Sequence, residues 1–557
     1  MQEEAKYGEN PERKAPVFHR EGHERMRSKM PTFAAIDIGS NSVRLAIAAV
    51  QKHRLKVLFE DREVTRLGAS VFETGVISPD AMANTIKTLK RFQRSVQTHV
   101  VDRVRVVATS AVRDARNSEA FRAWVKSATG WTVEVISGLE EGRLIHLGIV
   151  NREPGAQGKC LLIDLGGGSC EVTVSDHGRI QQMVSLPLGA VRLQSEFLRV
   201  DPPGKQDIAR LRKFIDRELG RAERKLGHPK VRLVIATSGT AAALAEASNA
   251  LELGLERKGA SVVSGSRAAK KAAVKRVKLL EAETPAVRKM ADRLLKLNHA
   301  QRSAVVGIGP RRAEIIAGGA QVFAALLERM NLKGYRFSRM GLRDGVLAQM
   351  LADSDVRASA HRTMEAERWE GVLEVCRRYG VDPRKAEPER EHCVQLFDQL
   401  RAVHRLPDEY RLWLQAAAMM REVGKYMNHQ GHHRHTQYII AHSEIFGFSP
   451  AQRAIVAAIA RYLGKSRPEP MDRPMRFVPV EEHGNIQRAV VLLRLAEALN
   501  QDRVTAAVKV RTRIYAKRVV LELIPARGGA ELEQWSLKKE SGYFREVFDR
   551  ELLVEVV

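Results

Sequence analysis

Cysteine and aromatic residues are scarce in this chain, which has 557 residues, 4 cysteines and 5% aromatic residues. The cysteines (Cys160, Cys170, Cys376 and Cys393) lack the paired spacing of a zinc site, and the first two lie in apolar, strand-like runs. We therefore expect reduced, buried thiols of a cytoplasmic protein. The few aromatic residues and the lack of zinc-finger spacing argue against a base-stacking platform, so no specific nucleic-acid partner is expected.

Long apolar runs are missing as well. No segment approaches the roughly 18 consecutive apolar residues of a membrane-spanning helix, so no membrane contact is expected. The N-terminal segment is polar, of mixed charge and without the apolar core of a signal peptide. We expect residues 1–31 to form a disordered leader, and a start at Met30 instead of Met1 fits this expectation equally well.

The Gly-x-x-x-x-Gly-Lys-Ser/Thr pattern is also absent, which argues against a P-loop enzyme. What the chain does have is size and positive charge. With 44% hydrophobic residues it is long enough for about three or four domains. Its 92 lysines and arginines against 66 aspartates and glutamates give a net charge of +26, which attracts polyanions in general. The densest basic segment, 256–280, is either a solvated helix face or a track for a long phosphate polymer.

Two short segments repeat nearly the same sequence. Residues 37–42 read Asp-Ile-Gly-Ser-Asn-Ser and residues 164–169 read Asp-Leu-Gly-Gly-Gly-Ser, and each lies between two strand-like apolar runs. Each is expected to form the turn of a β-hairpin. Small residues in such turns let backbone N–H groups point at an anion, and an aspartate at the strand end can hold the Mg²⁺ that accompanies phosphates. The repetition predicts a phosphoanhydride ligand.

The order of elements predicts an α/β fold class. Strands alternate with helices in two similar units, 32–152 and 153–350, so we expect two sheets covered by helices with a cleft between them. Residues 355–500 have an almost continuous helical period and are rich in histidine. The tail, 501–557, reads as a β-hairpin followed by a helix, a small α+β region.

Four motifs resemble, in order, the signatures of the exopolyphosphatase / guanosine pentaphosphate phosphohydrolase (Ppx/GppA) family: residues 34–42, 137–143, 163–171 and 236–240. The resemblance covers about residues 32–347. It implies two actin-like, ribonuclease-H-like (ASKHA) domains around a phosphate cleft, with Mg²⁺ or Mn²⁺ as cofactor. The substrate would be inorganic polyphosphate or guanosine pentaphosphate, and a homodimer is the expected assembly.

The resemblance also implies roles for single residues. Glu141, in preference to Glu140, would be the base that takes a proton from the attacking water, and with an ordinary pKa of about 4.3 it would be ionised at neutral pH. Arg113 would clamp phosphate oxygens during catalysis. The metal ligands would be Asp37, Asp164 and Glu171. The expected phosphate-binding residues are Gly39, Ser40, Asn41, Ser42, Arg143, Gly166, Gly167, Gly168, Ser169, Gly239 and Thr240.

Several of these roles have a structural alternative. The two glutamates at 140 and 141 would also suit the N-terminus of any helix. Arg143 is either a second phosphate clamp or only a helix-surface partner of these carboxylates. Gly239 and Thr240, which lie where nucleotide-using relatives hold adenosine, are either ligand contacts or merely structural.

The histidine-rich region, 355–500, resembles the HD phosphohydrolase superfamily domain attached to longer members of the family. Where HD enzymes place a metal-binding His-Asp pair, this chain has Arg421 and Glu422, and an arginine cannot bind a metal. We therefore expect a degenerate HD-like domain without HD hydrolase activity, which helps to bind polyanion or a regulatory nucleotide.

The function predicted from the sequence is processive, Mg²⁺-dependent removal of terminal orthophosphate from inorganic polyphosphate. Hydrolysis of pppGpp to ppGpp would use the same groups and is the alternative reaction. A regulator that binds polyanion or nucleotide without turnover is an alternative of another class, and a sugar or carboxylate kinase would differ by requiring ATP and an acceptor.

Overall fold

The structure is a computed structural model, and it describes residues 31–252, 280–464, 466–501, 508–525 and 529–557. The expected leader and the densest basic segment lie outside the described residues, apart from Pro31 and Leu280. None of the described helices is both long enough and apolar enough to cross a bilayer. All four cysteines are buried and unpaired, as the sequence predicts.

The first unit is built on a five-stranded sheet with the order β3-β2-β1-β4-β5. The central strand β1 is completely buried, pairs with β2 antiparallel and with β4 parallel, and thereby places Asp37 at the strand end beside the first glycine turn. The elements are β1 (Thr32–Ile38), β2 (Ser42–Gln51), β3 (Arg54–Val64), α1 (Leu67–Thr74), α2 (Pro79–Thr98), β4 (Arg103–Ala108), α3 (Ser110–Asp114), α4 (Ser118–Thr129), β5 (Val133–Val135) and α5 (Gly138–Arg152).

The second unit repeats this scheme in a six-stranded sheet with the order β10-β11-β9-β6-β7-β8. Its central strand β6 again has an antiparallel hairpin partner and a parallel neighbour. The elements are β6 (Cys160–Leu165), β7 (Cys170–Asp176), β8 (Arg179–Leu186), α6 (Ala190–Phe197), α7 (Lys205–Leu226), β9 (Leu233–Thr237), α8 (Ser238–Glu252), β10 (Glu281–Glu283), α9 (Thr284–Lys296), α10 (His299–Ser303), α11 (Pro310–Ala313), α12 (Ile316–Arg329), β11 (Gly334–Phe337) and α13 (Leu342–Ser354).

Helices α5 and α13 join the two units. Leu144 of α5 and Val346 of α13 share one buried cluster with Phe33 of the first sheet and Leu162 of the second. The helices approach so closely that a Cβ on Gly345 would lie 1.8 Å from the carbonyl oxygen of Leu144, which explains the glycine. The domain limit expected at residue 350 falls within α13, a helix that packs on both units.

The C-terminal region is helical and then mixed. Its helices share one core with the final sheet, since Leu414 and Val490 belong to the same buried cluster as Leu521 and Phe544. The sequence missed β14, which pairs parallel with β13. The elements are α14 (Ser359–Arg378), α15 (Pro383–Gln399), α16 (Arg401–His404), α17 (Glu409–Met420), α18 (His432–His442), α19 (Pro450–Arg461), α20 (His483–Ala498), β12 (Lys509–Ile514), β13 (Arg518–Ile524), α21 (Glu531–Phe548) and β14 (Glu551–Val556).

Two histidines of this histidine-rich region, His392 and His404, are buried in its core. His392 donates from Nε2 to the carbonyl oxygen of Val508, and His404 does the same to Phe397. Arg421 lies among carboxylates, 2.5 Å from Glu389 and 3.1 Å from Glu497. A fixed cation therefore stands at the position where the sequence departs from the HD pattern, and the HD-like character of the region stays a prediction.

Candidate functional site

The two glycine-containing turns have the same main-chain geometry. Gly39 donates its N–H to the carbonyl of Ser42 at 3.1 Å, and Gly166 donates to that of Ser169 at 3.0 Å. Both turns close β-hairpins, as predicted, and both line one cavity of about 80 Å³. Of the expected phosphate-binding residues, this cavity brings together Gly39, Ser40, Asn41, Ser42, Gly166, Gly167, Gly168 and Ser169.

The turns meet across the cleft at Gly167. A Cβ on this residue would lie 2.9 Å from the Cβ of Ser40 and 3.2 Å from the backbone nitrogen of Asn41. Gly167 is not among the described glycines with a positive φ angle. The absence of a side chain, rather than an unusual backbone conformation, therefore lets the second turn approach the first.

Three carboxylates gather at this cavity: Glu141 and Asp164 line it, and Glu171 lies next to them. Glu141 lies in the first turn of α5, which begins after the N-cap Ser137, and the hydroxyl of Ser137 accepts from the N–H of Glu140. Asp164 and Glu171 face each other across the β6–β7 pair. Single oxygens of all three carboxylates lie within 4.8 Å of one another. The segment 137–143, which was expected to lead into a helix, itself forms the start of α5.

Burial raises the pKa of each of these carboxyls. The pKa of Asp164 is raised to about 6 by burial, against the opposing effect of Arg44. The pKa of Glu171 is raised to about 8 by burial and by Asp164. Burial and Glu171 raise the pKa of Glu141 well above its ordinary value, although Arg113 opposes the shift. The expectation that Glu141 has an ordinary carboxyl pKa is therefore wrong.

The cluster suits a divalent cation. One oxygen of Glu141 and one of Glu171 are buried without a hydrogen-bond partner, and carboxylate oxygens are the ligands that Mg²⁺ and Mn²⁺ prefer. Asp37, an expected metal ligand, is not part of this group. It lies in the same cavity, where burial raises its pKa against the opposing effect of Arg44 and Arg343. The structure thus groups Glu141, rather than Asp37, with Asp164 and Glu171.

These pKa shifts predict how stability depends on pH when metal ions are chelated. Because the folded pKa of Glu171 is about 8 and the unfolded value is about 4.3, the folded state binds more protons between these limits. Stability is therefore greatest below the unfolded pKa and falls as the pH rises toward 8. We expect the Tm in EDTA to fall from pH 5 to pH 8 more steeply in the wild type than in Glu171→Gln, measured by differential scanning fluorimetry. Equal slopes would contradict the assigned shift.

A group of arginines that the sequence analysis missed extends the site. A second cavity of about 280 Å³ shares Asp37, Arg44 and Ser238 with the first, so the two are continuous. Its cationic lining residues are Arg44, Arg62, Arg339 and Arg343, and its lining also includes Gly239. The guanidinium of Arg312 lies directly over Gly239, where a Cβ would be only 2.0 Å from it.

Mutual repulsion shows how closely these arginines are packed. Burial, together with Arg62 and Arg44, lowers the pKa of Arg312 to about 10. Partial burial and Arg44 lower the pKa of Arg62. A bound anion would relieve this repulsion. The local sequence signal for Arg44 was its place just after the first turn, whereas Arg62, Arg312 and Arg343 come from distant segments that only the fold brings together.

Arg113 lies beside the cluster. It belongs to the short helix α3. Its Nη1 donates to the carbonyl of Ile136 at 2.8 Å and lies 3.8 Å from an oxygen of Glu141. In the described part of the chain, its charged neighbours include Glu141 and Asp114. Arg113 is therefore placed to stabilise the ionised form of Glu141.

Two expected phosphate-binding residues lie elsewhere. The side chain of Arg143 is completely buried and paired with Glu140 and Glu367, a position that does not suit a phosphate clamp. It is a partner of a carboxylate, as the alternative expected, but in the interior and not on the helix surface. Thr240 is buried, lines neither cavity and packs at Gly319, where an added Cβ would meet its methyl group at 2.8 Å. Thr240 is thus a packing residue, because the helix that begins at Ser238 turns it toward α12.

Comparison with known proteins agrees with this geometry. Residues 46–354 match the model of the Ppx/GppA phosphatase family, and residues 368–545 match that of Ppx/GppA phosphatase, domain III. A guanosine-5'-triphosphate,3'-diphosphate pyrophosphatase of Aeromonas hydrophila is 26% identical over 472 residues, which are 84% of this chain and 86% of that protein. An exopolyphosphatase 2 of Mycobacterium tuberculosis is 32% identical over 326 residues, 56% of this chain and 96% of that protein.

A solved structure supports the same assignment. The crystal structure of an exopolyphosphatase from Cytophaga hutchinsonii matches with a TM-score of 0.50 and 25% identity, over 58% of this chain and 98% of that one. The first family model covers more than half of the chain, and the second covers most of the remainder. The chain therefore belongs to the Ppx/GppA phosphatase family.

Proposed function

We propose that the chain removes terminal orthophosphate from inorganic polyphosphate, processively and with a divalent cation, Mg²⁺ or Mn²⁺. The observation that carries this proposal is the continuity of two cavities: one holds both glycine turns and the carboxylates, and the other is lined by arginines. A terminal phosphate fits the first, and the following phosphates of a chain would lie along the second. Backbone N–H groups and guanidinium groups both suit phosphate oxygens.

Within this cleft each residue has a specific task. Glu141 takes a proton from the attacking water, and Arg113 at 3.8 Å favours the ionised carboxylate that this task requires. The two turns orient the phosphate so that the water and the leaving oxygen stand in line. Asp164 and Glu171 would hold the cation, with Glu141 beside them in the same cluster and Asp37 close by. When bound, the cation neutralises phosphate oxygens.

Hydrolysis of pppGpp to ppGpp is the second candidate, and one observation favours it. The Aeromonas hydrophila relative named for that chemistry matches 84% of this chain, whereas the exopolyphosphatase of Mycobacterium tuberculosis matches 56%. The same carboxylates and turns would serve either substrate. Against it, four arginines line the second cavity and suit a chain of phosphates, next to three carboxylates, Asp37, Glu60 and Asp344.

One assay separates these candidates. Phosphate release is measured with long polyphosphate, short polyphosphate, pppGpp and ATP at equal concentrations of terminal phosphate, with Mg²⁺, with Mn²⁺ and with EDTA. The proposal expects the highest kcat/KM with polyphosphate and loss of activity in EDTA. Faster release from pppGpp would establish the second candidate. Binding of polyphosphate without release from any substrate would identify a non-catalytic sensor instead.

The arginine-lined cavity yields a prediction about affinity. Arg62→Gln removes one cation, so the KM for long polyphosphate is expected to rise about three- to tenfold while kcat changes less than about twofold. The slope of log KM against log salt concentration should also decrease by about 0.7, the value for one contact to a single-stranded polyanion. Steady-state kinetics at several KCl concentrations would measure both quantities.

Arg54→Gln is the matched control for this variant, because Arg54 begins the same strand β3 but lies outside the lining of both cavities. It should leave the KM and the salt slope unchanged. A rise in KM that is equal in the two variants would mean that only the overall charge matters. The expected homodimer is a separate proposal that light scattering of the purified protein would test.

A further inference from the structure

Helix α5 places Glu141 at the cleft and the buried guanidinium of Arg143 away from it. Arg143 has a side chain with no exposed surface, and it is bound to Glu140 on the same helix through two hydrogen bonds of 2.8 and 2.9 Å. Its remaining N–H groups reach Glu367 at 3.1 Å and Gln349 at 2.5 Å. Burial would lower the pKa of Arg143, but Glu140 and Glu367 more than offset this and the pKa is raised. The guanidinium of Arg143 is therefore held by carboxylates from two helices.

Glu367 belongs to the C-terminal region, on α14, and is itself nearly buried. Its second carboxylate oxygen has no hydrogen-bond partner and lies 3.8 Å from Nδ1 of His146, one turn further along α5. His146 in turn shares a hydrogen bond of 2.9 Å with Ser175 of β7, the strand that also carries Glu171. A line of buried polar groups thus connects α14, through α5, to the sheet beneath the carboxylate cluster.

Apolar packing follows the same path. Leu147 of α5 lies in one small buried cluster with Met364 of α14 and with Ala348 of α13. The contact between α14 and α5 therefore combines an ion pair with buried apolar packing. Removal of one member of a buried ion pair leaves the other charge buried without a partner, which strongly destabilises that arrangement. We expect the helices around it to shift in response.

We propose that Glu367 is a positioning residue: through Arg143, the C-terminal region fixes the orientation of α5 and so the place of Glu141 in the carboxylate cluster. This inference rests on the proposed function, because it takes Glu141 as the base of the cleft. Displacement of a catalytic group by about 1 Å lowers a rate by up to about 10²-fold. The C-terminal region would then contribute to the chemical step in addition to any role in binding.

The test compares two ion pairs that both involve α14. Glu367→Gln removes the charge that faces Arg143 and keeps the shape. We expect kcat to fall about tenfold with the KM for polyphosphate unchanged. The affinity of the metal-free protein for Mn²⁺, measured by titration calorimetry, should also weaken about tenfold, as it does when groups that orient metal ligands are lost.

Asp353→Asn is the matched control. It breaks the pair between Asp353 of α13 and Arg368 of α14 at 2.5 Å, which lies next to Glu367 and joins α14 to α13 instead of α5. The Tm of Asp353→Asn should fall by about as much as the Tm of Glu367→Gln. Its kcat and its affinity for Mn²⁺ should stay unchanged. Equal effects of both variants on kcat and Mn²⁺ affinity, or no effect of Glu367→Gln on either, would overturn the proposal.

Two further results keep the test decisive. If Glu367→Gln does not fold, the triple variant Glu140→Gln, Arg143→Met and Glu367→Met removes all three charges of the buried group, an exchange that often preserves stability. It should still show the lower kcat and weaker Mn²⁺ binding, and wild-type values would refute the role. If the wild type hydrolyses no phosphoanhydride, the proposed function fails, while the Mn²⁺ affinities still decide whether Glu367 positions the cluster.

Discussion

Replacement of Glu141 by glutamine is expected to lower kcat by at least about 10²-fold, since general-base catalysis contributes about 10² to 10⁴. Glutamine keeps the size of the side chain but cannot accept a proton from water. The KM for polyphosphate should change little, because the glycine turns and the arginine-lined cavity remain intact. Phosphate release under saturating substrate, together with substrate binding by titration calorimetry, would measure the two effects separately.

The stability of this variant provides an independent check. Burial and Glu171 raise the pKa of Glu141, so this carboxyl group makes the metal-free fold less stable as the pH rises above the ordinary carboxyl range. Glu141→Gln should therefore melt at the same temperature as the wild type or higher in EDTA at pH 8. Glu153→Gln, at the C-terminal end of the same helix, is the control and should keep wild-type kcat. Wild-type turnover by a folded Glu141→Gln protein would remove Glu141 from its assigned role.

Local patterns were enough to predict much of the fold. The two hairpins around the glycine turns, the alternation of strands and helices in two units and the helical region after them agree with the sequence-based predictions. These elements have clear alternation or helical period and end at turn residues, so tertiary contacts had little to override. Strand Glu551–Val556 was missed because it is short and most of its residues are at least partly exposed, so its stability depends on parallel pairing with a strand that precedes it by one helix.

The residues of the candidate site also differ in whether their role could be predicted from the local sequence. Residues within the motifs, such as Asp164 and Gly167, could be named because each motif is continuous in the chain. The partner of Arg143 could not, since Glu367 lies 224 residues away and nothing in its own surroundings marks it. The same holds for Arg312, which reaches the cleft only after the second unit has folded. Side chains whose role depends on a distant partner are beyond a reading of local pattern.

The pKa values, too, depend on residues that are distant in the sequence. An isolated glutamate ionises near pH 4.3, and only the joint burial of Glu141, Asp164 and Glu171 moves their titration toward neutral pH. The cluster therefore holds protons in the absence of a cation and releases them when a cation binds. Affinity for Mn²⁺ should accordingly increase with pH up to about 8, the value to which the pKa of Glu171 is raised.

Gly167→Val is expected to reduce kcat/KM by more than about 10²-fold. A Cβ at this position would lie 2.9 Å from the Cβ of Ser40 and 3.2 Å from the nitrogen of Asn41, and valine adds two methyl groups to this contact. The two turns would have to separate, so their N–H groups could no longer converge on one phosphate. Steady-state kinetics with short polyphosphate and with pppGpp would measure the loss, which should be similar for both substrates because it affects the terminal phosphate.

Gly158→Val is the control for this substitution, because it introduces the same side chain into the loop that precedes β6, where an added Cβ meets nothing within 4 Å. We expect it to retain wild-type kinetics. Circular dichroism and Tm must show that Gly167→Val is folded, since only then does its activity report on the cleft. A folded Gly167→Val protein with normal turnover would show that the turns do not need to meet, and the phosphate site would then have to lie outside the cavity that they share.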